Sequence, residues 1–425
     1  MSEHIIVAGA GHGGLVAAAK LSAAGYDVAV YEKLEEKELG HDWEDRFTFS
    51  VLEEITGVKV PEEKIRTRGD CAFVSPSYNT RININFTPET RHRLMWRKDI
   101  IAMLIDYAKA SGVKMHFGTE IKSAIIENGK VGGIRTDNGD FYGDLIIDAA
   151  GVFSPVRRSL PEEMLIEKDP RRGDVFYAWR AYFNKTTDAM PSTPFKVYLK
   201  HAGEPGLSWC CTFDDAVDVL IGRIDPVSDE LLEGHIERFR RDYPFMGETV
   251  INGGYRGVIP VRRPLALMVA PGYAAVGDSA FMTTPMNGMG IDLSLNAGKL
   301  LAECVSDSGV DIDALWKYNK EYHRLYGGIV SKNEGLKNAL ITLPKEGVDF
   351  LFDNAVIQSS DLAGAGQNLN LPALLGKFVR GMKNPPYFFA IIKGLMKGAK
   401  IKRTLENAPE NYDLKAIKKW QDKIL

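Results

Sequence analysis

Cysteine is scarce in this sequence: Cys71, Cys210, Cys211 and Cys304 are the four in 425 residues. That number excludes a disulfide framework at this size, and no pair has the CxxC spacing of a zinc site, so a reducing interior and no metal are expected. A basic excess is missing too, since 53 Lys and Arg stand against 56 Asp and Glu. No nucleic-acid partner is expected, because phosphate backbones need a concentrated basic face. There is no uninterrupted apolar run of roughly 18 to 20 residues, the length that spans a bilayer. The chain enters an apolar strand within four residues, without a basic segment, apolar core and cleavage site in series. The expectation is a cytoplasmic protein, or one bound peripherally to the inner face of a membrane. What is present, 45% hydrophobic and 26% charged residues, describes a globular chain long enough for two or three domains.

The most informative stretch is "HIIVAGAGHGGLVAAAKLSAAGYDVAVYEK", residues 4–33. Ile5 to Ala8 reads as a short strand buried on both faces. Gly9, Gly11 and Gly14 follow. In that spacing the first glycine permits a tight turn, the second lets backbone approach a pyrophosphate, and the third lets a helix pack close to the sheet. A helix is predicted over Leu15 to Ala24, with its free N–H groups and positive dipole end turned toward phosphates. Gly25 stops it. Tyr26 to Tyr31 is a second strand, and it ends on Glu32, placed to accept hydrogen bonds from the hydroxyls of an adenosine ribose. The bland alternative is a strand–helix–strand unit that binds nothing.

Distant residues distinguish FAD from NAD. In "PGYAAVGDSAFMTTPMNGMGIDLSLNAG", residues 271–298, a buried strand Tyr273 to Val276 meets Gly277, and Asp278 stands where a carboxylate could take the hydroxyls of a ribityl chain. NAD has no such chain. "PMNGMG" then opens another helix, whose free N–H groups suit the negative charge of a reduced flavin; the alternative is an ordinary Pro- and Gly-rich helix start. Between these segments, "DLIIDAAGVFSPVRRSL" (144–160) runs from strand Leu145 to Ile147 into a small-residue turn ending at Gly151, followed by Arg157 and Arg158. Arg97, ahead of a helical pattern from Ile100 to Ala110, could reach a pyrophosphate or ribityl oxygen.

"GAGHGG…YEK", "WRKDI", "DAAGVFSPVR" and "VGDSAFMTTPMNGMG", in that order, resemble the FAD-dependent oxidoreductases of the p-hydroxybenzoate hydroxylase fold, and within them the geranylgeranyl reductase family. The resemblance runs from residue 1 to about 330. It implies an α/β fold: a Rossmann-type FAD-binding domain with an inserted antiparallel-sheet substrate domain and a helical C-terminal region. It implies FAD contacts at Gly9, Gly11, Gly14, Glu32, Arg97, Gly151, Asp278, Gly288 and Gly290, to which the adjoining Ala10, Gly13, Lys33, Gly277, Asn287 and Met289 are added. Aromatic hydroxylases of this superfamily have Asp where Ala150 stands, and the Trp-x-Trp-x-Ile-Pro segment of flavin halogenases is absent. "DAAG" approximates the Asp-Ala-Thr-Gly of geranylgeranyl reductases. "LSWCCTF" (207–213) keeps Trp209 where that family has Tyr-x-Trp-x-Phe, with altered spacing.

Saturating an isolated double bond needs a hydride from flavin N5, a proton donor on the other face and a dry pocket. Alternation in "VFYAWRAYF" (175–183) puts Phe176, Ala178, Arg180 and Tyr182 on one side and Tyr177, Trp179, Ala181 and Phe183 on the other. One face could roof the flavin or line a lipid tunnel; sheet core is the alternative. Cys210 and Cys211 point to opposite faces. Trp209, Cys210, Tyr177 and Asp42 are the candidates for catalysis. Asp42 belongs to "GHDWEDRF" (40–47), where Glu44, Asp45 and Arg46 are further candidates for ribityl contact or proton supply; a solvated loop is the alternative. His12 is expected to pack or face solvent.

The expected domains are a discontinuous FAD-binding unit of 1–47, 96–160 and 256–335, a substrate sheet of 48–95 and 161–255, and helices over 336–425. "DLAGAGQNLN" imitates the fingerprint at Gly364 and Gly366, but Leu369 replaces the third glycine, so no second dinucleotide domain is expected. NAD(P)H or a small redox protein would then reduce the flavin directly. "PALLGKFVRGMKNPPYFFAIIKGLMKGAKIKR" (372–403) carries eight basic residues and no acid. It suits an anionic membrane interface or a surface helix pair. The expected activity is FAD-dependent reduction of carbon–carbon double bonds in an apolar, isoprenoid or lipid-like small molecule. The alternatives are an FAD monooxygenase of small rings and a non-redox prenyl-binding protein of the same fold, like the dissociation inhibitors of small GTPases.

Overall fold

Strand β1 (His4–Ala8) sits inside a six-stranded sheet, and Ile5, Ile6, Val7 and Ala8 are fully buried. A strand covered on both faces, here by helices on one and by the three-stranded sheet Ile121–Glu127, Lys130–Thr136 and Gly139–Tyr142 on the other, needs apolar residues at every position. The sheet order is Val269–Ala270, Tyr273–Ala275, Leu145–Asp148, β1, β2 (Asp27–Tyr31) and Lys114–His116. All pairings are parallel except the two-residue edge at Val269–Ala270. The computed structural model describes residues 3–363 and 371–424. Helix α1 spans His12–Ala23, three residues ahead of its expected start, because Gly11 is the N-cap and Gly13 and Gly14 are already helical. Arg97–Ala110 likewise starts three residues early. α1 lies against helix Ile291–Ser308 at backbone distance: a Cβ on Gly13 would stand 2.6 Å from the Ser294 carbonyl oxygen, and one on Gly298 would strike the Gly13 carbonyl.

A seven-stranded sheet covers the other end of this unit, in the order Met246–Pro260, Val175–Lys185, Ala216–Arg223, Gly206–Thr212, Phe195–Leu199, Cys71–Val74 and Arg81–Ile84. The expectation of a purely antiparallel sheet is corrected at one seam: Phe195–Leu199 runs parallel to Cys71–Val74. Those strands come from separate stretches of chain, so no hairpin dictates their relative direction. Met246–Pro260 runs through the boundary expected at 255/256, so residues 256–260 pair within this sheet.

The sheet's two faces differ. Trp179, Ala181, Phe183, Cys210, Val217, Val219 and Ile221 pack on one side with Phe239 and Tyr243 of the segment around helix Asp229–Asp242. Ala178, Tyr182, Phe195, Val197, Cys211 and Leu220 pack on the other with Trp43 and Leu94. That second side is joined by a three-stranded sheet of Glu44–Arg46, His92–Trp96 and Arg66–Arg68.

The helical C-terminal region begins earlier than residue 336. Ile312–Tyr322 continues through a wide π turn at His323–Gly327 into Gly328–Thr342. Lys345–Asp353, Ser359–Ala363, Leu371–Gly381, Pro385–Glu406 and Leu414–Gln421 follow. Among the described residues no helix is long and apolar enough to cross a membrane. Gly364, Gly366 and Leu369 of the imitation fingerprint lie outside the described residues.

Candidate functional site

The glycine turn closes on backbone contacts. Gly9 has φ +94° and donates its N–H to the Tyr31 carbonyl at 2.8 Å. A side chain at Gly9 would meet the Ala149 carbonyl oxygen at 2.7 Å, and one at Gly14 the Ala149 methyl at 2.5 Å. Glycine is needed here for a close approach as well as for conformation. Glu32 is buried, and its carboxylate accepts from Ala10 N–H at 2.9 Å and Leu34 N–H at 3.0 Å. Its negative charge is thereby held at the tip of β2, beside the turn. Lys33 is exposed.

Asp148, fully buried at the end of its strand, ties the turn to the second cofactor segment. Its carboxylate accepts from Ser154 Oγ at 2.6 Å, Ser279 Oγ and Tyr273 Oη at 2.9 Å, and Ala150 N–H at 3.1 Å. Ser279 Oγ also accepts from Gly151 N–H at 2.8 Å. Arg157, which follows the small-residue turn ending at Gly151 in sequence, is fully buried and donates to the carbonyls of Val152, Lys168 and Ser279. It braces both loops. Gly277 opens the short turn Gly277–Ala280 that presents Asp278. Over residues 284–290 the exposed Asn287 folds its Oδ1 back onto Met289 N–H at 3.2 Å, and Gly288 takes φ +66°. Gly290 is the N-cap of Ile291–Ser308, so a second helix start, with its unpaired N–H groups, opens at the site.

Charged side chains gather between these helix starts. Arg97 grips Asp45 through Nε and Nη2 at 2.6 and 2.9 Å, with its guanidinium 5.5 Å from the Trp43 ring. The pair holds Asp45 below the usual carboxylate range despite its burial. Burial pushes Asp278 up to about 6, opposed by Arg97 and reinforced by Asp45. His12, at the first position of α1, is pushed down to about 4 by burial and then by Arg97, and its Nε2 is a buried atom with no partner. Asp42 pairs with Lys98 at 2.9 Å on the surface side.

Beneath them runs a network that sequence spacing did not reveal. Arg180 makes a forked pair with Asp218 at 2.8 Å to each oxygen and donates to the Glu44 carbonyl at 2.6 Å. Glu44 accepts from Arg66 at 2.9 Å, and its N–H donates to Tyr182 Oη at 2.8 Å. Trp209 Nε1 donates to Asp218 at 3.3 Å. Trp209 and Cys211 thus stand on the side facing the cofactor loops. Cys210 stands on the opposite side, under helix Asp229–Asp242, because neighbours in a strand alternate. Tyr177 shares that side of its strand with Trp179 and lines a surface cavity with Phe153 and Arg158. Cys210 is thereby buried away from the cofactor loops, whereas Tyr177 also packs against the core of the nucleotide-binding domain, beside Phe153 of the 149–154 turn. Burial pushes the Cys211 thiol up to about 12, so it is neutral at ordinary pH.

The arrangement fits a flavin dinucleotide. The backbone cradle at Gly9 and Gly14 has no room for a Cβ, two helix starts offer N–H donors, His12 Nε2 lacks a partner, and an aromatic sheet face lies opposite. The family profile for FAD dependent oxidoreductases matches residues 97–304, and that for NAD(P)-binding Rossmann-like domains matches 7–43. A digeranylgeranylglycerophospholipid reductase of Haloferax volcanii is 25% identical over 318 residues, 70% of this chain and 74% of its own. A menaquinone reductase of Mycolicibacterium smegmatis is 24% identical over 369 residues, 80% and 85% of the two chains. The crystal structure of a geranylgeranyl bacteriochlorophyll reductase-like protein from Thermoplasma acidophilum shares the fold, with a TM-score of 0.73 at 20% identity over 93% of this chain and 99% of that one. The nucleotide turn, the second helix start facing it and these likenesses make this chain an FAD-dependent oxidoreductase.

Proposed function

We propose that this enzyme reduces carbon–carbon double bonds of an apolar, isoprenoid-like lipid, as a member of the geranylgeranyl reductase group. The observation that carries the reading is the aromatic and aliphatic cluster of Ala178, Tyr182, Phe195, Val197 and Leu220 with Trp43 and Trp209, packed around the paired Arg180 and Asp218 on the side of the cofactor loops. Relatives named for reducing a digeranylgeranylglycerophospholipid support it. In this reading Gly9, Ala10, Gly11, Gly13 and Gly14 cradle the pyrophosphate with α1, and Glu32 takes the adenosine ribose. Asp278 and Arg97 flank the ribityl chain, and Asn287 to Gly290 bring the second helix start to the flavin. Bound FAD supplies the hydride.

The protein excludes water with its aromatic layer and holds the lipid by burial rather than by polar contacts, which suits an alkene with no group to hydrogen-bond. Asp278, raised to about 6 by burial, accepts hydrogen bonds at neutral pH and becomes a donor only as pH falls through that value. The electron donor in this reading is NAD(P)H or a small redox protein acting at the flavin. A lipid substrate resides in a bilayer, so the enzyme works peripherally from the cytoplasmic side, with residues 372–403 as the contact. Anaerobic reduction of the FAD-loaded protein with candidate polyprenyl lipids, followed by mass analysis, is expected to show gain of two hydrogens. Substrate-stimulated oxygen consumption with gain of one oxygen would overturn the reductase reading in favour of a monooxygenase.

A further inference from the structure

A helix laid on a protein turns its apolar stripe inward. Among the described side chains of Leu371–Gly381, which begin at Leu375, the apolar ones face outward. Lys377 donates to the Val356 carbonyl at 3.2 Å and pairs with Asp361, while Arg380 donates to the Ala355 carbonyl at 3.0 Å. Its cations anchor it to the body, together with the edge of the Phe378 ring, 5.8 Å from the buried Phe388 ring. Leu375, Phe378 and Val379, with Met382 just beyond the helix, are instead 64%, 48%, 64% and 39% exposed at the spacing of one helical face. Helix Pro385–Glu406 buries Phe388, Ile391, Ile401 and Leu405 and leaves Phe389, Leu395 and Met396 exposed. Phe389, Lys393, Met396 and Lys400 follow one another along a single stripe of it, and Lys383, Lys393, Lys397 and Lys400 are exposed. No acid occurs from Leu371 to Leu405.

We propose that these two helices form a platform that seats the enzyme on an anionic bilayer, with Leu375, Phe378, Val379, Met382, Phe389 and Met396 entering the interface and the lysines meeting lipid phosphates. The inference rests on the peripheral-contact reading above and is independent of which double bond is reduced. An exposed apolar stripe ringed by cations without acids matches an anionic lipid surface. A second copy of the chain would bring the same lysines against one another, so charge disfavours that occupant. The platform is also coupled to the site: Phe388 and Ile391 pack in a cluster that includes Phe73 and Leu199, and those two residues pack as well on the aromatic layer around Trp43 and Phe195. A lipid leaving the interface would therefore meet continuous apolar surface.

The test is co-sedimentation of the FAD-loaded full chain with vesicles of phosphatidylcholine alone and with about 30% phosphatidylglycerol, at low salt and at about 0.5 M salt. Binding is expected to the anionic vesicles, about tenfold or more weaker to the neutral ones, and reversed by salt. Leu375→Ser with Val379→Ser, and separately Lys393→Glu, Lys397→Glu and Lys400→Glu together, are each expected to lower the partition at least about tenfold with the flavin spectrum and circular dichroism unchanged. Val58→Ser, an exposed apolar residue elsewhere, is expected to leave binding unaltered. Wild-type protein that ignores anionic vesicles, or platform variants that bind as wild type does, would overturn the proposal. So would a dimer in sedimentation velocity that the Leu375→Ser, Val379→Ser protein dissociates, which would give this face to a second copy. The lysine variant alters no packed side chain and decides the matter if the serine variant misfolds. No turnover is measured, so failure of lipid reduction bears on the reductase reading alone.

Discussion

Replacing Asp148 by alanine removes one acceptor from four donors: the hydroxyls of Ser154, Tyr273 and Ser279 and the Ala150 N–H, all within 2.6 to 3.1 Å of a fully buried carboxylate. Each hydrogen bond to a charged group is worth about 1.5–3 kcal/mol, and a donor left buried without a partner costs about as much again. Two terms reduce the sum. Ser279 can turn to the Gly151 carbonyl, already 3.3 Å away, and removing the carboxylate abolishes its own desolvation penalty. The net loss expected is about 3–5 kcal/mol of folding stability. Because the four donors belong to both cofactor segments, the damage extends beyond stability. The 149–154 turn and the 273–280 turn lose their common tie, and FAD affinity is expected to fall at least about tenfold. Urea denaturation of the flavin-free protein reads the first effect, and flavin fluorescence on titration reads the second. Asp148→Asn keeps one acceptor oxygen but faces the same donors with an NH₂ group, and should fall between wild type and alanine in both assays. An alanine variant that unfolds within about 1 kcal/mol of wild type and retains its flavin would refute the reasoning.

Three further outcomes are expected. Gly13→Ala and Gly298→Ala each drive a methyl group against backbone of the facing helix; each is expected to cost more than about 2 kcal/mol and to lower flavin occupancy, read by thermal unfolding and the 450 nm absorbance of the purified protein. Asp278 is raised from 3.8 to about 6, so in the flavin-free protein its contribution is fully present below about pH 4 and is lost as pH rises through about 6. Asp278→Asn should therefore gain about 2 kcal/mol over wild type at pH 7.5, after discounting for partial exposure, and lose that advantage by pH 4, measured as a difference in urea midpoints; a difference constant with pH would contradict it. Arg180→Met leaves Asp218 buried without its forked partner and should cost about 3–5 kcal/mol. Arg180→Lys should recover less than half of that in chemical denaturation, because one ammonium cannot make the fork and also reach the Glu44 carbonyl.

The glycine turn was legible because its information is local: strand, turn, helix, second strand and Glu32 fall within about thirty residues, each spacing tied to one geometric need. Helix starts were read three residues late at His12 and Arg97, since glycines and an isolated cation look like loop until their backbone is seen to be helical. Asp148 was visible only as the end of a strand. Three of its four donors lie 6, 125 and 131 residues away in sequence, and no periodicity encodes such a meeting. The Asp45–Arg97 fork, across 52 residues, and the Arg180–Asp218 fork, across 38, escaped for the same reason. Alternation correctly separated the two faces of Val175–Lys185, but both carry aromatic residues, so which face met the cofactor loops had to come from what packs on each. Lys377 and Arg380 show the opposite failure. Cations on a surface helix are ordinarily solvated, and here they point at the protein.

The opposed faces of the seven-stranded sheet give the enzyme a division of labour. Side chains buried under helix Asp229–Asp242 answer to folding, while in the proposed reading those across the same backbone answer to the substrate. On that reading specificity can drift at positions 178 and 220, which carry no hydrogen bond of the buried network, without disturbing 179, 181, 183 and 219. One backbone can in this way be refitted to new cargo while its hidden side stays unchanged.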